Sequence, residues 1–214
     1  MEPRSGRGFS HEANRVAALT ATLERRRIAL TARLELCALN LFLEHGIDAG
    51  SGDDIAKAAG ISRRSFYRYF ESPIDVVRTV ICRSMDFWTE KVRERPVSEP
   101  IVESFRAANS FTLTSPDNAE ALRLALAGMR RSPEAWARIS GPMQAHTTAA
   151  YRQIIAERLA ASGRDTGTAG AIAAGLTAIF VYLAEQSMIE DRVLQPGEFE
   201  AALLGFRDMI ALGE

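Results

Sequence analysis

Cysteine, histidine and strand-like alternation are all scarce in this chain of 214 residues, and each scarcity removes a class of function. The two cysteines, Cys37 and Cys82, stand in apolar helical contexts, which suits buried thiols and not a disulfide framework or a metal pair. Histidines occur only at 11, 45 and 146, at no metal-ligand spacing from one another or from the cysteines, so no metal site is expected. There is no Gly-x-Ser-x-Gly elbow, phosphate loop or nucleophile with a base beside it, which argues against an enzyme and leaves no cofactor to expect. No apolar run reaches the roughly 18 residues that span a bilayer. The start of the chain is polar and arginine-bearing with no apolar segment behind it, so a cytoplasmic location without a membrane partner is expected. A net charge of −1 does not favour nucleic acid by its sum.

What remains is a globular composition, 47% hydrophobic and 25% charged, long enough for one large or two smaller domains. Apolar residues recur at helical spacing throughout, and no period-two pattern persists, so the fold class is all-α. Charge placement says more than the sum. Residues 1–75 hold 11 Arg or Lys against 10 Asp or Glu, a balance of +1, and the remainder holds 15 against 17, a balance of −2. Arg4, Arg7, Arg15 and Arg25-Arg26-Arg27 precede the most informative stretch, which runs from Asp53 to Phe70.

That stretch spells two short helices and a tight turn. Gly60 follows an alanine-rich run and supplies the left-handed residue that ends a helix, with apolar Ile61 placed to fold back on it. Ser62 caps the next helix, and Ile61 and Phe66 occupy the two positions of a hydrophobic staple. Ser51 to Asp54 and Ser72 to Asp75 read as capping boxes, the second with Pro73 at the first helical position. At about 100° per residue, Phe66 and Phe70 share one direction and Arg64 and Arg68 lie nearly opposite, with Ser65 and Tyr67 on the flanks. Two such helices at a sharp angle form a helix-turn-helix, and a face of guanidiniums and hydroxyls suits a major groove.

Leu41-Phe42, Gly46, Asp53 through Ser62 and Phe66-Tyr67-Arg68-Tyr69-Phe70 together resemble the N-terminal DNA-binding domain of the TetR family of bacterial transcriptional regulators, over about Arg26 to Val77. The resemblance implies a DNA-binding set of Ser51, Ser62, Arg63, Arg64, Ser65, Tyr67, Arg68 and Tyr69, with Tyr67 on phosphate and the three arginines on bases or phosphates. Three features depart from the family pattern. Gly50 and Gly52 replace a threonine and an apolar residue, Pro73 stands where a lysine is common, and Arg64 stands where a small residue is usual. The glycines are expected to loosen the start of the second helix and to remove a small core side chain.

The expected organisation is a mobile arm over 1–21, a three-helix helix-turn-helix domain over 22–75, and a helical ligand-binding and dimerisation domain over 76–214, joined by a long helix from Pro73 to about Arg95. The arm either follows a phosphate backbone, enters a minor groove or is a plain tail. Helices are expected from Pro100, from Ser115-Pro116, over a short segment from Ser132-Pro133, and then over a long one that starts after a break at Gly141-Pro142. The last two helices are apolar and rich in small residues. In the family the corresponding pair forms a dimeric four-helix bundle, which implies a homodimer through Ala173, Ala174, Leu176, Phe180, Leu203, Phe206 and Ile210. The family's middle helices enclose a small-molecule pocket, which implies Trp88, Phe111, Met129, Trp136, Met143, His146 and Phe180 as candidate ligand residues, with plain core as the alternative for each. The Arg130-Arg131-Ser132-Pro133 corner and the Arg95-Pro96 break resemble the subgroup described as binding acyl-CoA-like ligands; an arginine pair there could receive a phosphate or carboxylate, with a solvated helix end as the alternative the residues favour. The implied function is a ligand-responsive regulator, most often a repressor, that binds a pseudo-palindromic double-stranded operator and is released by a small apolar or amphipathic effector. The alternative is a C-terminal domain that only dimerises or binds a protein.

Overall fold

Helix punctuation sets most of the architecture. The computed structural model describes residues 7–48, 50–114, 116–190, 192 and 196–211, and among them the chain forms nine α-helices and no strand. They are α1 (Arg7–His45), α2 (Gly52–Ala58), α3 (Arg63–Tyr69), α4 (Pro73–Arg93), α5 (Ile101–Thr114), α6 (Pro116–Arg130), α7 (Pro133–Ala161), α8 (Ala169–Ile189) and α9 (Pro196–Ala211).

Two boundaries differ from the sequence expectation. The first helix starts at Arg7 and not near Thr22, so the stretch expected to be an arm is helical from there on, while residues 1–6 lie outside the described residues. Secondly, α7 passes through Pro142 without a break. Trp136, Ile139 and Met143 lie at helical spacing on one buried face around that proline. Their burial outweighs the one backbone hydrogen bond that proline cannot donate.

Core packing joins the two expected domains. One cluster of buried side chains runs from Leu34, Phe42, Ile55, Phe66 and Phe70 through Val76, Val80 and Met85 of α4 into Met129, Trp136, Met143 and Val181. The boundary expected at residues 75 and 76 therefore falls inside a continuous core. A second cluster surrounds Trp88, whose ring centroid lies 4.7 Å from that of Phe105 and 5.1 Å from that of Tyr151. Phe180 packs against both.

Polar contacts add a latch at the end of α1. Arg131 donates to the carbonyl of Leu43 at 2.6 Å, Ser132 Oγ accepts from the buried Ile47 amide at 3.0 Å, and Arg138 pairs with Asp48. This corner, read from the sequence as a solvated helix end or a receptor for a ligand carboxylate or phosphate, instead caps the last turn of α1, because unsatisfied helix carbonyls and a buried amide are already there to be met. Glu35, buried on α1, accepts both arms of the Arg83 guanidinium on α4, at 2.7 and 2.8 Å. Both long elements of the N-terminal region are thereby fixed to the helices that follow.

By length and composition α8 is the one described helix able to cross a membrane. Here it packs between α7 and α9, with Ala169, Ala173 and Leu176 buried.

Candidate nucleic-acid interface

The turn that presents α3 is built as the sequence spells it. Gly60 has φ of +66°, and the amides of Gly60 and Ile61 donate to Lys57 and Ala56 at 3.1 and 2.9 Å, the paired bonds of a Schellman end. Ser62 Oγ accepts from the Ser65 amide at 3.1 Å and exchanges a hydroxyl hydrogen bond with Ser65 Oγ at 2.9 Å. On α2 the capping box is complete. Ser51 Oγ accepts from the Asp54 amide at 3.2 Å, and the Ser51 amide and hydroxyl donate to Asp54 at 3.3 and 2.6 Å, which holds the Asp54 carboxyl below its ordinary pKa. The second expected box is not made. Ser72 gives no side-chain cap, and Asp75 instead accepts from the Glu71 amide at 3.2 Å and pairs with Arg78.

With Phe66 and Phe70 buried, the opposite face of α3 is left to solvent. Arg64 and Arg68 are exposed, and Tyr67 is 43% exposed. Arg68 lies 5.3 Å from the Tyr69 ring centroid. Arg63 is already engaged, bonded to Asp53 at 3.1 Å across the turn and lying 5.6 Å from the Tyr67 ring centroid. That pair was not anticipated from the sequence, although opposite charges at the open ends of α2 and α3 carry its signal. It makes Arg63 an orienting group for Tyr67, while Arg64 and Arg68 remain on the exposed face, Arg68 against the Tyr69 ring.

The glycine departures acquire a cause. A Cβ on Gly52 would lie 2.7 Å from the Tyr67 hydroxyl oxygen and 3.0 Å from Phe66, and one on Gly50 would lie 2.9 Å from the Phe42 ring. Neither glycine leaves a hole, because an aromatic ring fills each place, and Gly52 seats Tyr67 against the first turn of α2. Gly52→Ala is therefore expected to lower stability by about 1–3 kcal/mol through overpacking, against the gain of about 1 kcal/mol that alanine ordinarily brings to a helix. Urea denaturation reads the sign directly, and a stabilised variant would overturn the account.

The candidate ligand residues do not converge on one cavity. Trp88 belongs to the second cluster, and Met129, Trp136 and Met143 are buried in the first, with Trp136 Nε1 donating to Glu185 at 3.1 Å. His146 sits at the surface, 2.6 Å from Asp86, on an open groove of about 400 Å³ between α4 and α7 that Thr89, Glu90, Arg93 and Gln153 also line. Of the proposed dimer residues, Ala173, Leu176 and Leu203 are buried within the protomer, Phe180 is partly buried and Ala174 is exposed. The side chains of Phe111, Phe206 and Ile210 lie outside the described residues.

Comparison with known proteins agrees with this geometry. Residues 37–73 match the family of bacterial regulatory proteins, tetR family. Over 48 residues, 22% of this chain, the sequence is 46% identical to a Mycobacterium tuberculosis protein named for a proposed role as the mycofactocin biosynthesis transcriptional regulator MftR, and the match spans only 24% of that relative's length. A TetR-family structure from Syntrophomonas wolfei superimposes with a TM-score of 0.65 at 17% identity, over 87% of this chain and 96% of that one. SmeT, the repressor of the Stenotrophomonas maltophilia multidrug efflux pump SmeDEF, gives 0.56 at 20% identity over 81% and 86%, and a SmeT–triclosan complex gives 0.58 at 16% identity over 83% and 91%. Residues 37–73 thus carry the helix-turn-helix of bacterial regulatory proteins of the tetR family, and the all-α fold around them is the one that the TetR-family structure shares.

Proposed function

We propose that the chain is a cytoplasmic, homodimeric repressor whose paired α3 helices read a pseudo-palindromic operator and are withdrawn by a small effector. The observation that carries the reading is the division of α3 into a buried aromatic face and an outward face bearing Arg64, Arg68 and Tyr67. Arg68 or Arg64 would fork onto guanine edges, and the Tyr67 hydroxyl would bond a phosphate.

Dimerisation would use the exposed stripe of α8, Ala171, Ala174, Ala178 and Tyr182, together with the exposed Ala201 and Gly205 of α9. Small residues at that spacing let two helices approach closely, and a two-fold axis there places the α3 helices on half-sites about one helical turn apart. Release of DNA would follow from an effector that binds better to a second arrangement of the C-terminal helices. That arrangement would reach the reading head through α4 and also through the latch on α1. SmeT, a repressor with the same fold, has been crystallised with triclosan, which supports an apolar effector here. A second reading, in which the C-terminal domain only dimerises or binds a protein, is favoured by the separation of Trp88 from Met129, Trp136 and Met143 into two closed cores.

Selection of random duplex fragments on the purified protein, followed by sequencing, is expected to enrich a palindrome. Failure of the folded dimer to enrich any sequence at modest salt would overturn the reading. On the enriched site, Arg68→Ala is expected to cost about 1–3 kcal/mol and to relax specificity at one position in each half-site. Equal losses on specific and non-specific duplexes would show Arg68 to be a phosphate contact.

A further inference from the structure

We infer that the N-terminal half of α1 is a second DNA contact, a basic helix that lies on the phosphates flanking each half-site. The inference rests on the DNA-reading function proposed above. It begins from an exposed surface. Every described residue from Ala18 to Ala29 is exposed, with Leu19, Leu23 and Ile28 at 60, 64 and 60%, and α1 joins the core only from Leu30 onward. A helical segment with no tertiary packing is marginal in water, so an occupant is needed to hold it.

Direction and charge identify that occupant. The C-terminal end of α1 is held by Arg131 and Ser132 at the α6–α7 corner, so its N-terminal end points away from the C-terminal domain. Arg33 donates to the Ala59 carbonyl at the α2–α3 turn, and the residues before it run on past that turn. At 1.5 Å per residue, 7–29 span about 34 Å, close to one turn of duplex. From Arg15 to Arg33 the helix carries Arg15, Arg25, Arg26, Arg27 and Arg33 against Glu24 alone. Arg15 and Arg26 lie within roughly 40° of the directions of Leu19 and Arg33, the side that faces the helix-turn-helix. The 3.9 Å approach of Arg27 to Glu24 is solvent-exposed and weak enough to be exchanged for phosphate. Such contacts carry no sequence information and set register and affinity.

The test uses the full chain and the duplex recovered by selection, prepared in two lengths. One ends at the outer edges of the half-sites, and the other extends about ten base pairs further on each side. The wild type is expected to bind the longer duplex at least tenfold more tightly, with a salt dependence steeper by about 0.9 per phosphate engaged. A variant combining Arg15→Gln, Arg25→Gln, Arg26→Gln and Arg27→Gln keeps helix propensity. It is expected to lose the gain from added length while binding the short duplex as the wild type does. Equal wild-type affinity for the two lengths overturns the inference, as does a variant that retains the gain. Without the length gain, loss of dimer in Leu19→Gln with Leu23→Gln would assign the surface to a second copy, and capture on phosphatidylglycerol vesicles would assign it to an anionic membrane. Either result overturns a DNA role. Binding of neither duplex overturns the reading function itself, and this inference with it, whereas short-duplex binding without the gain overturns this inference alone.

Discussion

Arg158→Met is expected to destabilise the protein by about 3 kcal/mol, because it removes a buried charged donor shared by several inward carbonyls, of which Val92 and Pro96 keep only a backbone amide, from Arg95 and Glu99. Arg158, only 8% exposed as a residue, reaches from α7 to the end of α4, its guanidinium donating to Val92 at 3.1 Å, Pro96 at 3.0 Å and Glu99 at 2.9 Å, with Arg95 and Val97 at 3.5 Å. Burial pulls its pKa below the ordinary arginine value, while Glu99 opposes the shift. The end of α4 is closed in part by the amides of Glu94 and Arg95, which donate to Glu90 and Val92, and one planar fork from α7 adds a second donor there and ties in the connection to α5. Lysine offers a point charge on a flexible stem and cannot span that arc, so Arg158→Lys is expected to recover less than half of the loss. Urea denaturation of the three proteins decides it, and wild-type stability in Arg158→Lys would show that charge alone suffices. The same corner predicts an acid response. Arg95 and Ser104 hold the Glu99 carboxyl down to about 2, so its contribution is whole above the ordinary carboxylate range and is lost as pH falls from there through about 2.

Arg158 also marks where sequence reading stops. The reading head was legible because its determinants are local: Gly60, Ile61 and Ser62 fix the turn within three residues, and Phe66 and Phe70 declare the buried face within one helix. Most helix starts were legible from Pro73, Pro100, Pro116 and Pro133 for the same reason. Long-range contacts were not. Nothing near Arg131 in the sequence shows that its partner is the end of α1, and an arginine beside Ser-Pro resembles a ligand-binding corner as closely as a helix cap. Gly50 and Gly52 looked like losses because the rings that fill their places, Phe42 and Tyr67, come from other helices. Pro142 looked like a break because local propensity has no knowledge of the packed face formed by Trp136, Ile139 and Met143. Aromatic residues spaced for a ligand pocket sorted into two cores, since spacing along a helix does not say what lies opposite.

Phe42→Ala is expected to cost about 3–5 kcal/mol, toward the upper end of that range, and to unfold the DNA-reading and C-terminal regions in one transition. The ring is fully buried on α1. Gly50 lies against its edge, where an added Cβ would come within 2.9 Å of Cε1, and Gly128 of α6 lies against its base, where one would come within 3.2 Å of Phe42 Cβ. Two walls of this site are glycines, which have no side chain to fold into the space, so the cavity term is expected to be little reduced by relaxation. The cluster that would lose the ring extends from Ile55 and Phe66 to Trp136 and Val181, so its weakening reaches both regions together. Tryptophan fluorescence, which reports Trp88 and Trp136, and far-ultraviolet circular dichroism should give coincident urea transitions at a lowered midpoint. A thermodynamic cycle sharpens the test. Gly50→Ala alone is expected to destabilise by crowding the ring, but in the Phe42→Ala background the added methyl enters empty space, so the two losses should fall short of additivity by more than about 0.5 kcal/mol. Additive losses would mean that Gly50 does not abut the ring. Separate transitions would mean that the shared core does not couple the regions, leaving α4 and the polar contacts on α1 as their only links.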